Sequence, residues 1–211
     1  DATDWRLCLP LAVVYPSSES QVAPLLDAIH LLKLHAIPRG GGTGLTGGSV
    51  PVRDNCIVIN TERLNTVDSI REVQYRQDDS NCTVPILRVG AGVITQDAMA
   101  VADKEGLVFA TDPTSAWAST IGGNISENAG GKTAVLWGTA IDNLFSYSMV
   151  IPKLGLCQVS RVNHPLRKIQ PEETVIFDVT SVNGDYRRRI ELSGLAIRKK
   201  GLWKDITNKA L

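Results

Sequence analysis

The sequence lacks the features that mark most nucleic-acid and membrane proteins. Its 22 Lys and Arg residues are matched by 22 Asp and Glu among 211 residues. The formal net charge is therefore zero, and no basic footprint for nucleic acid is present. The longest apolar runs, such as Cys56-Ile57-Val58-Ile59 and Met149-Val150-Ile151, are far too short to cross a bilayer. No charged-then-apolar leader opens the chain. Cysteine is sparse: Cys8, Cys56, Cys82 and Cys157 are scattered without any C-x-x-C. A disulfide or zinc framework is thereby disfavoured, no metal site is expected, and the thiols read as free and buried. The expectation is a soluble, cytoplasmic protein. With 43% hydrophobic residues, the chain can bury one large core or two small ones, and disorder is excluded. It opens on Asp1-Ala2-Thr3 without Met and stops in what reads as a starting helix, so a piece of something longer is expected.

Glycine is plentiful but uneven. Six of the 18 lie between Gly40 and Gly48, and four between Gly122 and Gly131. Before the first window, Ser18-Glu19-Ser20-Gln21 resembles a capping box. Val22, Leu25, Leu26, Ile29 and Leu32 follow at helical spacing toward His35. Pro24 predicts a kink or a later helix start. Ala36-Ile37-Pro38 is an extended segment, and Cys56 to Asn60 reads as a buried strand. Residues 84–89 predict another strand, and 95–105 a helix capped by Thr95 and stopped by Gly106. Strands follow over 145–151, 156–162, 174–180 and 185–192, with Asn183-Gly184 signalling a type I′ hairpin. The fold class is α+β, a small parallel α/β unit plus a larger antiparallel sheet unit.

The run from Arg39 to Ser49 can expose several backbone N–H groups to one concavity, an arrangement that binds phosphate. Gly42-Thr43-Gly44-Leu45-Thr46-Gly47 matches G-x-G-x-x-G, but it leads toward a strand rather than opening a helix, so it is no Rossmann fingerprint. Gly131-Lys132-Thr133 mimics the end of a Walker A loop, yet Ser126 stands where the first glycine would be needed. The second window holds small and hydroxyl residues, with the indoles of Trp117 and Trp137 nearby. Two glycine-rich elements imply a long ligand with a diphosphate and flat rings, which a dinucleotide fits.

Several motifs occur together and in order. They are Tyr15-Pro16-Ser17-Ser18, Ile37-Pro38-Arg39-Gly40-Gly41-Gly42-Thr43-Gly44, Gly90-Ala91-Gly92, Ile121-Gly122-Gly123-Asn124, Asn128-Ala129-Gly130-Gly131 and Trp137-Gly138. Over residues 10–160 the chain resembles the FAD-binding (PCMH-type) domain of the vanillyl-alcohol oxidase / p-cresol methylhydroxylase superfamily. It is most similar to the branch of glycolate oxidase, D-lactate dehydrogenase and D-2-hydroxyglutarate dehydrogenase. The resemblance implies a flavoprotein oxidoreductase acting on CH–OH groups, with two subdomains clasping FAD. The expected division is residues 1–75, residues 76–192 and a tail, 193–211, leading to a missing substrate domain.

By the same resemblance, Pro38, Arg39, Gly40, Gly41, Gly42, Thr43, Gly44 and Leu45 cradle the pyrophosphate. Asp112, Pro113, Ala118, Ser119, Gly122, Asn124 and Gly130 line the ribityl and adenosine side, and Val150 meets adenine through its backbone. Some relatives bind FAD covalently through a His where this chain has Thr43, so non-covalent FAD is implied. None of His30, His35 and His164 matches a catalytic base of the family, so no catalytic residue is assigned. The partners implied are a small 2-hydroxy acid bound through a further domain and, from the similarity of the tail to large bacterial FAD-linked dehydrogenases, an iron–sulfur electron-transfer module. That module would place the protein at the periphery of the inner membrane. Arg187-Arg188-Arg189 and Arg198-Lys199-Lys200 read as solvated charge. Two alternatives stay open: a non-catalytic nucleotide-binding or assembly module, and the flavin domain of a cell-wall precursor reductase or molybdenum hydroxylase.

Overall fold

Five consecutive buried residues form strand β3, Cys56–Asn60, and a strand without a solvent face must be covered on both sides. It is the middle strand of a three-stranded parallel sheet, between β1 (Ala12–Val14) and β2 (His35–Arg39). The computed structural model describes residues 8–77, 80–163 and 166–194. Between β1 and β2 the chain makes a 3₁₀ turn, Glu19–Gln21, and helix α1, Val22–Leu31. Ile29, Leu25 and Leu26 of α1 pack on Ile57 and Ile59 together with Val14, Leu34 and Ala36. This is the later helix start that Pro24 predicts. As the third residue of α1, Pro24 sits where no helix N–H has an intrahelical partner, so its missing donor costs nothing there.

Two local expectations are corrected. The capping box does not form: Ser18 makes no side-chain cap, and Gln21 Oε1 accepts instead from the Ser17 N–H at 2.8 Å. The helix also ends before His35. Lys33 takes a positive φ of 57°, the chain turns, and His35 opens β2.

β4 (Arg71–Gln77) and β5 (Ser80–Ile86) form an antiparallel hairpin. The strand expected over 84–89 thus lies earlier, and Val89 keeps only an isolated bridge to Val67. Helix α2, Thr95–Lys104, buries Ala98 and Ala102 and is stopped by Gly106, whose φ of 69° suits the left-handed position after a helix. Ile94, not Thr95, stands at its cap position.

The four strands expected in the second half are present as β6 (Ser146–Ile151), β7 (Gly155–Arg161), β8 (Thr174–Ser181) and β9 (Arg187–Ser193), antiparallel and in that order. Period-two alternation puts Val159, Val175, Phe177, Val179, Ile190 and Leu192 into one core. The β8–β9 turn is not type I′, which needs positive φ at both central residues. Only Gly184 has it, at 82°, and the Gly184 N–H closes the turn on the Ser181 carbonyl at 2.9 Å. The molecule is α+β, a small parallel unit plus a larger antiparallel sheet, as the sequence predicts.

All four cysteines are free thiols, and burial pushes the Cys157 thiol up. No helix among the described residues is long and apolar enough to cross a membrane. On β9 the basic run is spent on a surface pairing: Arg189 and Arg187 donate to Asp178 at 2.8–3.2 Å. The Arg189 hydrogen bonds hold the Asp178 carboxyl below the usual carboxylate range, with partial burial opposing and Arg187 assisting. A depressed carboxyl stabilises the fold above its unfolded pKa of about 3.9 and loses that contribution as pH falls through its folded value. Asp178→Asn should therefore be less stable than the parent by about 0.2–1 kcal/mol at pH 7, the scale of an exposed pair. The gap should close in denaturation curves recorded near pH 2–3, and a gap constant with pH would refute the ionic role. Arg198, Lys199, Lys200 and His164 lie outside the described residues.

Candidate functional site

The two glycine windows meet. Where β2 ends at Arg39, the chain enters the loop Gly40-Gly41-Gly42-Thr43-Gly44-Leu45, which lies on the segment formed by Ala118, Ser119 and Thr120. A Cβ added at Gly40 would collide with Thr120 Oγ1, and one added at Gly41 would overlap the Ala118 carbonyl. At Gly44, by contrast, a Cβ would meet nothing within 4 Å. Glycine at 40 and 41 therefore permits close packing of two loops, while 44 faces open space.

That packing leaves the loop's donors free. Among the described residues, none of the backbone N–H groups of residues 40–46 donates a hydrogen bond within the protein. The Thr43 hydroxyl has no partner there either. Gly40, Gly42 and Thr43 are half-buried and the rest of this run is exposed, so its unpaired N–H groups are accessible to an anion. The guanidinium of Arg39 folds over Gly42, which takes a positive φ of 67°, and makes no ion pair among the described residues.

The supporting segment is held from below. Turns close it, with Ala116 N–H on the Pro113 carbonyl and Ala118 and Ser119 N–H on the Ser115 carbonyl. Thr120 then caps helix α3, Ile121–Ser126, by accepting from the Gly123 N–H. Asn124 of α3 is buried and donates to Thr95 Oγ1 at 2.7 Å, and Thr95 also contacts Ser119. Gly122 lies against Ala91 of the Gly90-Ala91-Gly92 turn, and that turn passes close to the backbone at Thr61 and Leu64.

Asp112 and Gly130 pack around Thr133 and the residues that follow it. Asp112 Oδ1 accepts from the Thr133 N–H at 3.1 Å and from Thr133 Oγ1 at 2.8 Å, and Gly131 packs directly on Asp112. Gly130 rests on Ala134 and Thr139 at 3.4 Å, beside the short helix α4, Ala134–Trp137. Val150 stands on β6, the edge strand of the four-stranded sheet. Since Phe145 accepts from the Arg161 N–H and pairing alternates, Tyr147, Met149 and Ile151 face β7. The backbone groups of Val150 then point to the open edge. A separate cavity of about 510 Å³, lined by Ile70, Arg71, Pro85 and Val101 among others, shares no residue with the cradle.

Sequence reasoning reads Thr95 only as a helix cap and gives Thr120 no role of its own. Thr95 is completely buried at the start of α2, where a threonine signals only a helix cap.

Residues 10–157 match the family model described as "FAD binding domain". The chain belongs to that family. Its curated relatives include the glycolate oxidase subunit GlcD of Bacillus subtilis, 31% identical over 151 residues, 72% of this chain and 30% of the relative. Another is the mitochondrial D-2-hydroxyglutarate dehydrogenase of Arabidopsis thaliana, 31% identical over 163 residues, 74% of this chain and 27% of the relative. Among solved structures, an alkyldihydroxyacetonephosphate synthase aligns with a TM-score of 0.57 at 25% identity, over 68% of this chain and 27% of that one. The FAD-binding domain described here thus spans less than a third of the length of these relatives, and FAD is its cofactor.

Proposed function

We propose that this FAD-binding domain is the flavin unit of a dehydrogenase that oxidises a D-2-hydroxy acid such as D-lactate, glycolate or D-2-hydroxyglutarate, and that it holds FAD without a covalent bond. The observation that carries the proposal is the run of unpaired N–H groups over residues 40–46, seated on Ala118, Ser119 and Thr120. Those donors and the Arg39 guanidinium would hold the pyrophosphate. Gly130, Asp112 and Asn124 would flank the ribityl and adenosine side, and the Val150 backbone would meet the adenine. Bound there, FAD supplies electron-accepting chemistry that no side chain offers. The chain's part is to bind and orient it. Neutral N–H donors do so without a net positive charge, in keeping with equal numbers of acidic and basic residues.

The names of the relatives support the substrate class, and their greater length supports a further domain that binds the hydroxy acid. Residues 1–75 and 76–192 are the proposed halves of the flavin unit, with hairpin β4–β5 at their join. Residues 193–211 lead onward. A cytoplasmic location and an iron–sulfur acceptor module belong to the same proposal.

Thr43 stands where a covalent attachment would need histidine, so acid precipitation should release all the bound flavin into the supernatant. Yellow colour retained by the precipitated polypeptide would overturn the non-covalent assignment. For substrate class, the flavoprotein carrying this domain with its substrate domain is mixed anaerobically with each hydroxy acid. Bleaching of the flavin band by achiral glycolate, or by the D- but not the L-form of lactate or 2-hydroxyglutarate, is expected, and bleaching by none of them would remove the assignment.

A further inference from the structure

We propose that Thr95 is a positioning residue for the cofactor, acting through the segment on which the glycine loop rests. The inference depends on the FAD cradle being at residues 40–46, as set out above. Thr95 is fully buried at the first turn of α2, and neither motif window contains it. Its hydroxyl donates to the Ser119 carbonyl at 3.0 Å, lies 2.9 Å from Ser119 Oγ and accepts from Asn124 Nδ2 at 2.7 Å. With Ser119 Oγ as the second donor to it, the one donor and two acceptor positions of the hydroxyl are all filled. The Thr95 backbone N–H adds a fourth tie, to the Ser119 carbonyl at 2.9 Å.

One side chain thus pins Ser119 and the buried Asn124 of α3. Ser119 lies between Ala118 and Thr120, the two residues against which Gly41 and Gly40 pack without room for a methyl group. A small shift of this segment must therefore shift the loop, because close-packed backbones cannot absorb it. Thr95 reaches the cofactor only through this contact. It orders the floor of the cradle, so that the N–H groups of 40–46 stay aimed at one anion rather than dispersing.

Thr95→Val keeps the shape of the side chain and removes the hydroxyl, leaving the Ser119 hydroxyl and the Asn124 amide facing a methyl group. The dissociation constant for FAD, read by flavin fluorescence, should rise about tenfold, the effect of one to two hydrogen bonds. Thr95→Ser restores the hydroxyl and should bind within about twofold of the parent. Ala98→Gly, one turn further along α2, loosens the same helix without touching the network and should also leave FAD affinity within twofold while lowering the thermal midpoint. Should Thr95→Val not fold, Thr95→Ala is measured in its place with the same expectation. Unchanged affinity in the hydroxyl-free variant overturns the proposal. So does equal weakening by Ala98→Gly, failure of serine to rescue, or failure of both hydroxyl-free variants to fold, since each assigns Thr95 to stability alone. If the parent protein itself binds no FAD, the cradle reading fails instead, and the two failures are distinct.

Discussion

Gly41→Val is expected to weaken FAD binding by about a hundredfold and to lower the thermal midpoint of the cofactor-free protein as well. The family resemblance puts Gly41 against the pyrophosphate, and the structure adds a second cost, to the fold. A Cβ at residue 41 points at the Ala118 carbonyl and the Ser119 backbone, which cannot rotate away as a side chain can. Valine must therefore push the glycine loop off its floor. The N–H groups of residues 40–46 would then lose their common aim, and several hydrogen bonds to the ligand at roughly 1–1.5 kcal/mol each correspond to about two decades of affinity. Gly44→Ala is the matched control. Its Cβ enters open space and its φ is not positive, so affinity should stay within a few-fold. Equal losses at 41 and 44 in a fluorescence titration would show that contact with ligand, not loop packing, sets the effect.

Asp142→Ala should be the most destabilising single change, by about 3–5 kcal/mol, the cost of stripping the partner from a buried charge. Asp142 is fully buried in the 3₁₀ turn Ala140–Asn143. Its Oδ2 accepts from the Thr139 N–H at 2.6 Å and from Thr139 Oγ1 at 3.1 Å, and its Oδ1 accepts from the Ile169 N–H at 2.7 Å. It also faces Arg161, whose guanidinium donates to the carbonyls of Leu144 and Ile141 and lies 5.3 Å from the centroid of the Phe177 ring. Burial drags the Arg161 guanidinium down to about 10, and the negative charge of Asp142 works against that drop. Removing the carboxylate leaves the buried Arg161 cation without this counter-charge and takes the acceptor from the Thr139 N–H, the Thr139 hydroxyl and the Ile169 N–H. At 2–4 °C per kcal/mol for a chain of this size, a fall of about 6–20 °C in melting temperature is expected by differential scanning calorimetry. A loss under about 1 kcal/mol would mean that water takes over the role of the carboxylate.

Much of this architecture was legible because its signals are local. Cys56 to Ile59 is an unbroken apolar run bounded by Asn55 and Asn60, and β8 alternates strictly, so one-dimensional pattern suffices for both. Strand β4 is hard to read because its alternation is short, with only Val73 and Tyr75 set between Glu72, Gln74 and Arg76; its register with β5 makes it a strand. The helical spacing runs on past Leu31 toward His35, and nothing in the composition marks Lys33 as a left-handed residue that ends the helix. For the site, the motif carried the donors at 40–46, since glycine spacing is itself the signal. Thr95 was illegible for the opposite reason. Its partners are 24 and 29 positions away, and a threonine looks the same whether it caps a helix or braces a loop.

The strand order β1-β3-β2 carries a consequence for how the chain is born. Among the described residues β1 and β2 do not pair with each other and both pair with β3 alone, and the partners Ala12 and Ile57 are 45 positions apart. As the polypeptide leaves the ribosome, β1, β2 and the helix between them are complete before β3 exists to receive them. A single helix of ten residues is marginal by itself in water. The small sheet can therefore assemble only once the segment around Asn60 has been synthesised. Closing the sheet ties down both ends of the intervening glycine loop, and the cradle is completed only when its floor at Ala118, Ser119 and Thr120 has followed.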